Sequence, residues 1–325
     1  MYTKLMDVKL KTNENMEVGV VLAPDDEYAG KIKTFLDHKP GNFKWHIERC
    51  FEEKLDELET RYYIGQINNE IACNIMIVEH GHIGLLGHVF TKPDQRRKGA
   101  CAGVINAQME DFQRRNGEAL YLGTGYDGPA YHIYKSVGFE SVYPRSGFMK
   151  YWANNDFEAK YFAKGNTHVK EVQWNDWGKM TALTAIVYGD FLRSIAFNIY
   201  GPASFEGGFL NFKRDLEEGK QYRDAKLLAS GNGALVAFAT IIPDSRWRGE
   251  VYILDVFAHL DFWDDAAKLL NELKFPQGKI QCYADSTSTD KAECLEKAGF
   301  HREGVLKKQI RRAEETFDVL VLAKY

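Results

Sequence analysis

Residues 91–102 have the sequence TKPDQRRKGACA and connect an apolar run at 83–90 to a helical pattern. Backbone N–H groups at the start of a helix have no partner within it, and the helix dipole favours a negative ligand there. Gly99 has no Cβ to keep such a ligand from the backbone. Three basic side chains can neutralise its charge: Arg96, Arg97 and Lys98. The stretch therefore predicts a strand, a pyrophosphate-binding turn and a helix; the alternative is a solvated basic turn before an ordinary helix.

Apolar periodicity on both sides of this turn predicts alternating strands and helices. The predicted strands are 16–23, 61–67, 71–78, 83–91, 118–124 and the final stretch 140–152. The predicted helices are 25–37, 43–58, 101–115 and 129–137. Asn68-Asn69 predicts a hairpin turn. The helix after the basic turn has a stripe of apolar residues at helical spacing, which predicts its buried face: Cys101, Ile105, Met109 and Phe112.

Residues 127–139, DGPAYHIYKSVGF, form a second informative stretch. Pro129 is suited to the first turn of a helix, and Gly138 is suited to the position just after its end. Tyr134 lies within this predicted helix and carries a hydroxyl group that can donate a hydrogen bond.

These two stretches resemble the cofactor motifs of the Gcn5-related N-acetyltransferase family. Residues 96–101 are similar to its (Q/R)xxGx(G/A) signature, with Arg96 and Gly99 in the signature positions. Residues 127–139 are similar to its second motif, NxxAxxLYxxxGF, at Asp127, Ala130, Ile133, Tyr134, Gly138 and Phe139. The departures are Cys101 for Gly or Ala, Asp127 for Asn, and Ile133 for Leu. The two motifs cover about fifty residues of the chain.

The resemblance implies that acetyl-coenzyme A binds here and that its acyl group passes directly to an amine. The strand residues whose backbone would pair with the pantetheine arm are Val89, Phe90 and Thr91. The phosphates would be bound by Arg96, Arg97, Lys98, Gly99, Ala100 and Cys101. Tyr134 corresponds to the residue that donates a proton or hydrogen bond to the departing thiolate, whose charge must be stabilised as it forms. The alternative is that Tyr134 only packs in a helix–sheet interface.

Cys101 and Asp127 can also be understood without a role in catalysis. Cys101 lies at a helix start near cations, which can lower a thiol pKa, but a small packing residue is a simpler interpretation than a catalytic thiol. Asp127 is placed near the acyl carrier by the resemblance, and we favour its capping the helix at 129.

The general base is less well defined. Many relatives have Glu near the position of Leu85, which has no basic group. His88 adjoins the cofactor strand, has a suitable unperturbed pKa, and ranks first as the catalytic base. Glu79 and Asp127 are alternatives, and in some multi-domain relatives the C-terminal carboxylate, here that of Tyr325, reaches the active site.

The second half of the chain contains a weaker copy of the first. Residues 88–90 have a counterpart in 255–257, and residues 135–139 have one in 296–300 at nearly the same separation. The fold class predicted from the resemblance and this repeat is α/β, with two tandem domains, each a mixed, mostly antiparallel twisted sheet flanked by helices. The predicted boundaries are a catalytic domain at 1–152, a linker at 153–168 and a degenerate copy at 169–325.

The copy lacks the features that suit a phosphate ligand. Opposite Arg96–Gly99 stand Trp263, Asp264, Asp265 and Ala266, and opposite Tyr134 stands Leu295. We therefore expect one acyl-coenzyme A site per chain. The second domain is expected to shape an acceptor cleft, support the first domain or form a dimer surface. Its aromatic stretch at 188–212 either lines such a cleft or belongs to an ordinary core.

Bulk composition sets wider limits. The 325 residues are 45% hydrophobic and 27% charged, with a formal net charge of −4, so nothing favours nucleic acid or an anionic membrane as a partner. Five scattered cysteines and no signal-like apolar run predict a cytoplasmic protein with reduced thiols and no metal. The expected partner is a small-molecule or peptide amine, and a homodimer is left open. Alternative functions are transfer of another acyl group, modification of an antibiotic-type acceptor, or non-catalytic binding of acyl-coenzyme A.

Overall fold

The computed structural model describes residues 1–312 and 314–325 and divides the chain into two compact units. The first unit comprises Met1–Phe157 and Gln173–Thr181, and the second comprises Glu158–Val172 and Ala182–Tyr325. The chain thus leaves the first unit, returns to it for nine residues and leaves it again. The predicted boundaries need correction, because residues 173–181 belong to the first unit. The predicted linker also contains regular structure, including the start of a sheet strand at Thr167.

The first unit is a sheet with helices on it. Its strands are β1 Tyr2–Lys9, β2 Asn15–Ala23, β3 Glu59–Ile67, β4 Glu70–His80, β5 Ile83–Thr91, β6 Ala119–Gly123, β7 Glu140–Ser141 and β8 Phe148–Trp152. Its helices are α1 Asp26–Phe35, α2 Gly41–Glu52, α3 Ala100–Arg114 and α4 Pro129–Ser136. The strand order is β1-β2-β3-β4-β5-β6-β8-β7. Every neighbouring pair is antiparallel except β5 and β6, which are parallel because α3 connects them as a crossover.

The core of the first unit lies between α3 and the sheet. Predicted stripe residues Ile105, Met109 and Phe112 are buried, and Cys101 packs against the same cluster while partly exposed. Burying each large apolar side chain stabilises the fold by roughly 1.5–3 kcal/mol. The apolar period of this helix therefore identified the face that meets the sheet.

Local predictions in the first unit have mixed outcomes. The hairpin turn at Asn68-Asn69 is confirmed, with φ values of +50° and +65° that asparagine tolerates. Strand β1 was not predicted, because its sequence YTKLMDVK has charged residues where a buried edge would be apolar. Helix α2 ends at Glu52, six residues before the predicted end at 58.

The second unit is built around another sheet, with a separate two-stranded sheet beside it in the chain. The strands of the main sheet are β9 Thr167–Lys170, β12 Asp224–Ser230, β13 Leu235–Pro243, β14 Val251–Ala258, β15 Lys279–Asp285, β16 His301–Arg312 and β17 Glu315–Lys324, and the two-stranded sheet consists of β10 Leu192–Ser194 and β11 Ile199–Tyr200. Helices α5 Phe157–Tyr161 and α6 Trp177–Ala185 each cross a unit boundary. Helices within the second unit are α7 Glu206–Glu217, α8 Trp263–Glu272 and α9 Thr289–Lys297.

The two sheets share one topology. Read from the β9 edge, the second sheet runs β9-β12-β13-β14-β15-β17-β16, which matches β2-β3-β4-β5-β6-β8-β7 strand for strand. Each contains one parallel pair, β5–β6 or β14–β15, joined through a helix. The predicted fold class, two mixed and mostly antiparallel sheets flanked by helices, is confirmed. Within the described residues, no helix is long and apolar enough to cross a membrane.

Candidate functional site

The two parallel strands of the first unit separate after the third residue of β5. Their register ends at the pair Leu85–Tyr121, and the described residues form no later pair between them. Strand β5 continues to Thr91 beside β4. The backbone of residues 86–91 therefore borders an opening on the β6 side, which we call the first split. An exposed strand edge of this kind can pair with an extended ligand.

A β-bulge bends β5 beside the first split. Between the register pairs Met76–Gly87 and Asn74–Phe90, β4 advances two residues while β5 advances three. His88 lies in the bulge with φ +50°, a left-handed conformation that is uncommon outside glycine. The buried Asn74 amide donates through Nδ2 to the His88 carbonyl oxygen at 3.0 Å. Bulges redirect side chains beside many active sites, and here the redirected side chain is that of His88.

The turn after β5 brings the backbone into a shape suited to an anion. Arg97 and Gly99 have φ values of +64° and +95°. A Cβ at Gly99 would lie 3.9 Å from its nearest neighbour, Lys11 Cγ, so glycine is needed for the conformation and not for space. The first internal bond of α3 runs from the Gly103 N–H to the Gly99 carbonyl at 3.0 Å. The N–H groups ahead of it are available to an anion: Ala100, Cys101 and Ala102.

Two arginines of the turn are exposed, namely Arg96 and Arg97. Arg96 donates through Nε to the Thr91 carbonyl oxygen at 3.2 Å, and its guanidinium lies 5.9 Å from the Phe90 ring centroid. These contacts hold Arg96 at the end of β5, next to the start of α3.

Lys98 has protein partners of its own. Its Nζ donates to Gln95 Oε1 at 3.0 Å and to Glu14 Oε2 at 3.4 Å. The hydrogen bond of the Lys11 N–H to the Lys98 carbonyl at 3.0 Å adds a second link to the β1–β2 hairpin. Lys98 therefore anchors the turn to that hairpin in this structure.

Two thiols meet at the start of α3. Thr91 Oγ1 donates to Cys73 Sγ at 3.2 Å. The interaction between the two thiols lowers the pKa of Cys101 and raises that of Cys73 well above its usual value. Cys101 packs against the apolar cluster of the first unit and stays partly exposed.

Tyr134 lies on the same side of the sheet as the turn. It is buried, with its ring centroid 6.1 Å from that of Phe139 in an edge-on contact. It belongs to the apolar cluster against which Val89 and Cys101 pack. Gly138 follows the helix with φ +96°, as a C-terminal glycine should. The structure thus places Tyr134 in one apolar cluster with the end of β5 and the start of α3.

The capping role expected for Asp127 is wrong. Helix α4 is capped by the backbone of Gly128, and its N-cap makes no side-chain hydrogen bond. The Asp127 carboxylate instead contacts His132 Nε2 at 3.1 Å, with both side chains largely exposed. Asp127 has φ +57°, so it acts as a turn residue before the helix.

The side chain of His88 points to the opposite side of the sheet, toward α2. It is 6% exposed, and its ring contacts Phe43 edge-on at 5.2 Å and stacks near His46 at 6.2 Å between centroids. Burial, followed by the charges of His46, Lys39 and His38, lowers its pKa well below 6.5. His88 is therefore neutral at pH 7. Its Nε2 has no hydrogen-bond partner among the described residues.

His46 lies behind His88 in an aromatic enclosure. It is fully buried, and its ring centroid is 4.9 Å from that of Trp177 and 5.9 Å from that of Trp174. Burial lowers its pKa to about 3. Both tryptophans come from residues 173–181, the returning segment of the first unit. Neither His46 nor Asn74 was identified from the sequence, because each depends on partners distant along the chain.

The alternative bases have other partners. Glu79 is paired in register with Gly84, at the far end of β5 from the bulge. Its carboxylate is buried and held by Arg61 at 3.0 Å and by Arg115. This geometry makes Glu79 part of a structural ion-pair network. Tyr325 belongs to the second unit, where its hydroxyl donates to Glu303 Oε1 at 2.5 Å.

The equivalent strands of the second unit also separate. The register of β14 and β15 ends at Leu254–Cys282, leaving an opening that we call the second split. The register of β14 with β13 is continuous, without a bulge. Asp255, the counterpart of His88, is buried and accepts hydrogen bonds from three donors: Ser194 Oγ at 2.6 Å, the Ile195 N–H at 2.9 Å and the Ala196 N–H at 2.9 Å.

The other side of the second split binds the same stretch of chain. Asp285 of β15 accepts from the N–H groups of Phe191 and Leu192 at 3.1 and 3.0 Å. Lys291 donates to the Leu192 carbonyl at 3.1 Å. Residues 191–196, which we call the bridging segment, therefore span the second split from β15 to β14.

The residues of the second unit that stand opposite the cofactor motifs lie in its core or in the first turn of α8. Trp263 at the start of α8 is buried, and Asp264 and Asp265 occupy the first turn. Leu295, opposite Tyr134, is fully buried. In the part of the chain that the structure describes, no three His, Cys, Asp or Glu side chains are arranged to hold a metal ion.

No protein-family model matches this sequence, and no curated protein does. Among solved structures, the chain is similar to an N-acetyltransferase from Staphylococcus aureus Mu50, with 13% identity over 49% of this chain and 98% of that one, at a TM-score of 0.40. An acetyltransferase of the GNAT family from Streptococcus pneumoniae is 17% identical over 49% of this chain and 98% of that one, with a TM-score of 0.36. A GNAT superfamily phosphinothricin acetyltransferase from Sinorhizobium meliloti, in complex with AcCoA, is 11% identical over 49% of this chain and 87% of that one, with a TM-score of 0.38. Each covers about half of this chain, and at these identities the similarity concerns the fold alone.

Proposed function

We propose that the first unit transfers an acetyl group from acetyl-coenzyme A to a primary amine, as the resemblance to Gcn5-related N-acetyltransferases implies. The observation that carries this proposal is the first split. Its free strand edge at residues 86–91 leads directly to the left-handed turn at Gly99 and to the unpaired N–H groups of α3. An extended acyl carrier that ends in a pyrophosphate matches both parts.

Cofactor binding would use mainly backbone groups. The pantetheine arm would pair with Val89, Phe90 and Thr91, and the pyrophosphate would accept hydrogen bonds from the N–H groups of residues 100–102. Exposed Arg96 and Arg97 would neutralise its charge. Lys98, held by Glu14, would support the turn.

The reaction would proceed by direct attack. The amine nitrogen forms a bond to the thioester carbonyl carbon, giving a tetrahedral intermediate whose oxygen carries the negative charge. The carbon–sulfur bond then breaks, and the electron pair leaves with the thiolate. Tyr134 donates a hydrogen bond or a proton to that sulfur, and the proton from the attacking nitrogen leaves to a base.

His88 is our candidate for that base. Because its pKa lies well below 6.5, its imidazole is neutral at pH 7 and can accept a proton. A weak base is adequate once the nitrogen has attacked, since a positively charged nitrogen in the intermediate is far more acidic than a free ammonium. The bulge at β5 aims this ring to one side of the strand edge on which the thioester would lie.

The second unit would bind no acyl-coenzyme A. Asp255 and Asp285, on the two strands that border the second split, both bind the bridging segment through their carboxylates. Two carboxylates at the start of α8 would repel a pyrophosphate. One cofactor per chain is therefore the expected stoichiometry.

Isothermal titration of the full chain with acetyl-coenzyme A tests this. We expect saturable binding of one molecule per chain. Gly99→Ala should weaken the affinity about tenfold, because a side chain at φ +95° costs about 1–2 kcal/mol. Gly219→Ala is the matched control: Gly219 also has a positive φ, +64°, with open space around it, but lies in the second unit. Two molecules per chain, or none at high micromolar ligand, would refute the proposal.

A panel of amines with acetyl-coenzyme A tests transfer itself. Release of free thiol that depends on the added amine supports an acetyltransferase. Binding of one cofactor with only slow hydrolysis across a broad panel would instead indicate a protein that binds acyl-coenzyme A as a signal. Substituting longer acyl donors in the same assay would identify a different donor.

A further inference from the structure

Helix α1 and the sheet of the first unit border a groove of about 610 Å³, which we call the α1 groove. Small-molecule sites in proteins commonly have volumes of about 300–1,000 Å³. One wall comes from α1, and the other comes from the β3–β4 turn with the end of β5. The lining residues are Gly30, Lys31, Thr34 and Phe35 on the first wall and residues 69–71, Phe90 and Lys92 on the second. All of them belong to the first unit.

The α1 groove begins at the strand that borders the first split. Phe90 lines the groove, and its backbone belongs to the edge of β5 beside the split. His88 precedes it by two residues and packs toward the same face of the sheet: His88 contacts Phe43 of α2, and Phe90 contacts Phe35 of α1 at 5.2 Å between ring centroids. Two residues of strand span about 7 Å. A molecule with its nitrogen at His88 can therefore place its other end in the α1 groove.

Most of the surface that lines the α1 groove is apolar. Phe35 and Phe90 contribute two rings in edge-on contact, and Ile71 packs beside them from the start of β4. Both rings are only partly buried, so they keep surface that a ligand can cover. Removing apolar surface from water is favourable. The groove therefore suits the apolar or aromatic body of a small molecule.

The charges of the α1 groove disfavour a second cation. Glu70 supplies the one carboxylate among the described lining residues, and Lys92 Nζ already pairs with it at 3.0 Å. Lys31 is exposed, with its Nζ 4.7 Å from the Tyr28 ring centroid. The guanidinium of Arg96 lies 5.9 Å from the ring centroid of Phe90. An ammonium group in the groove would therefore meet positive charges and a carboxylate that is already paired.

We propose that the acceptor of the first unit is a primary monoamine on an apolar or aromatic body, an alkylamine or arylalkylamine, and that the α1 groove binds this body. The inference rests on the proposed acetyl transfer and names its substrate class. The amine nitrogen lies at His88 beside the thioester, and the body extends past Phe90 into the groove. Diamines and polyamines are poor acceptors, because their second ammonium group would lie near Lys31 and Arg96.

Release of free thiol from acetyl-coenzyme A by the full chain compares three acceptors: hexylamine, 1,6-diaminohexane and ethylamine. Hexylamine and the diamine have the same carbon chain and differ by one ammonium group, whereas ethylamine carries the reactive group without the body. We expect kcat/KM for hexylamine to exceed that for each of the others by at least about tenfold. Ethylamine buries fewer methylene groups, and the diamine brings a second charge into the groove.

Two pairs of variants on α1 locate the body of the acceptor. Gly30→Trp should fill the groove and lower kcat/KM for hexylamine about tenfold, whereas Glu27→Trp, at an exposed residue outside the groove, should not. A Cβ at Gly30 meets nothing within 4 Å, so this variant should fold. Lys31→Glu should raise kcat/KM for the diamine relative to hexylamine about fivefold, and Lys33→Glu should leave that ratio unchanged. Calorimetry should show the same affinity for acetyl-coenzyme A in all four variants.

The results that would overturn the inference differ from those that would overturn acetyl transfer. A diamine that matches hexylamine would contradict the acceptor class and leave the transfer itself intact. Unchanged hexylamine kinetics in Gly30→Trp, or an unchanged ratio in Lys31→Glu, would show that the α1 groove does not bind the acceptor. Binding of acetyl-coenzyme A without thiol release for any amine would refute the proposed transfer, and the inference would fall with it.

Discussion

In the first unit, the opening between the parallel strands is bordered by a β-bulge at His88 and by a strand edge without a partner. In the second unit, the equivalent opening is spanned by residues 191–196 of the chain itself, bound to Asp255 and Asp285. The two sheets have the same strand order. Shared topology therefore fixes where an opening forms, and a few residues decide whether the chain itself spans it.

The two units also differ in the residues that connect each opening to the next helix. The first unit places Arg97 and Gly99 in left-handed conformations before α3. The second unit begins α8 with a buried Trp263 followed by two aspartates. The left-handed turn before α3 is thus replaced by a helix start with two acidic residues in its first turn, where the helix dipole favours negative charge.

The largest expected effect comes from Tyr134, which the second unit replaces with Leu295. Tyr134→Phe should lower kcat by roughly 100-fold or more, since a proton donor to the leaving group is typically worth 10²–10⁴. Affinity for acetyl-coenzyme A should stay within about twofold, because the ring still packs on Phe139. Steady-state kinetics and calorimetry measure the two effects.

Tyr131→Phe is the matched control for that variant. Tyr131 lies on the same helix, is also buried, and its hydroxyl bonds to Ser141 Oγ at 2.9 Å. Turnover should survive its loss. Equal effects of the two substitutions would show that Tyr134 only fills the interface.

The next effect concerns the pair His88 and Asp255. His88→Asn removes the imidazole but keeps a residue that tolerates a positive φ, so the bulge should persist. We expect kcat to fall about 100-fold with little change in cofactor affinity. The control is His82→Asn. His82 also has a left-handed backbone conformation, but its side chain is exposed. A pH–rate profile with the same acid limb in the variant and the unmodified chain would remove His88 as the base.

A smaller effect is expected in the second split. Asp255→Ala leaves three donors of the bridging segment, one buried and two partly buried, without an acceptor and should reduce the free energy of unfolding by about 2–4 kcal/mol. Asp264→Ala, at an exposed acid of the same unit, should change it by less than about 1 kcal/mol. Urea unfolding measures the change in stability of each variant, and hydrogen exchange in residues 191–196 measures whether the bridging segment loses protection. Unchanged protection of those residues in Asp255→Ala would mean that Asp255 does not hold the segment.

The mildest test is acidification. The pKa of His46 falls from 6.5 to about 3 on burial, so the unfolded chain binds the extra proton between these values. Stability from His46 is complete above pH 6.5 and is lost as pH falls, by about 1.4 kcal/mol per pH unit. His88 shifts in the same direction. Burial raises the pKa of Asp255, which acts in the opposite sense and favours the folded second unit in acid.

From pH 7 to 5.5, therefore, the protection factors for hydrogen exchange should fall in α2 before they do in β14. His46→Leu should reduce that fall, and His132→Gln, at an exposed histidine, should leave it unchanged. Equal sensitivity of α2 in the two variants would contradict this account.

Features carried by nearby residues could be predicted from the sequence. The strand, turn and helix around Gly99, the stripe of α3, the Asn68-Asn69 turn and the repeated topology all depend on local spacing. The difference between the turn at Gly99 and the acidic start of α8 could also be predicted, because basic residues and a glycine at the first are replaced by a tryptophan and two acidic residues at the second.

Features that depend on contacts between residues far apart in the chain could not be predicted from the sequence. The bulge at His88 needs Asn74 on the neighbouring strand, and Lys98 turns to Glu14, 84 residues earlier. The bridging segment is recognisable only once Asp255 and Asp285 are placed on either side of it. Asp127 fitted a cap by position, but its carboxylate met His132 instead. Such contacts depend on the folded sheet, which residue order alone does not specify.

The return of residues 173–181 to the first unit has a consequence for how the molecule is made. Trp174 and Trp177 enclose His46, so the first unit cannot finish folding on the ribosome when Phe157 emerges. It must wait until Thr181 has been synthesised, and residues 158–172 of the second unit are then already exposed. Domains that are contiguous in sequence can fold one after another during synthesis. Here the order of completion is interleaved, so a copy of the first half cut at residue 157 would be an unfinished domain.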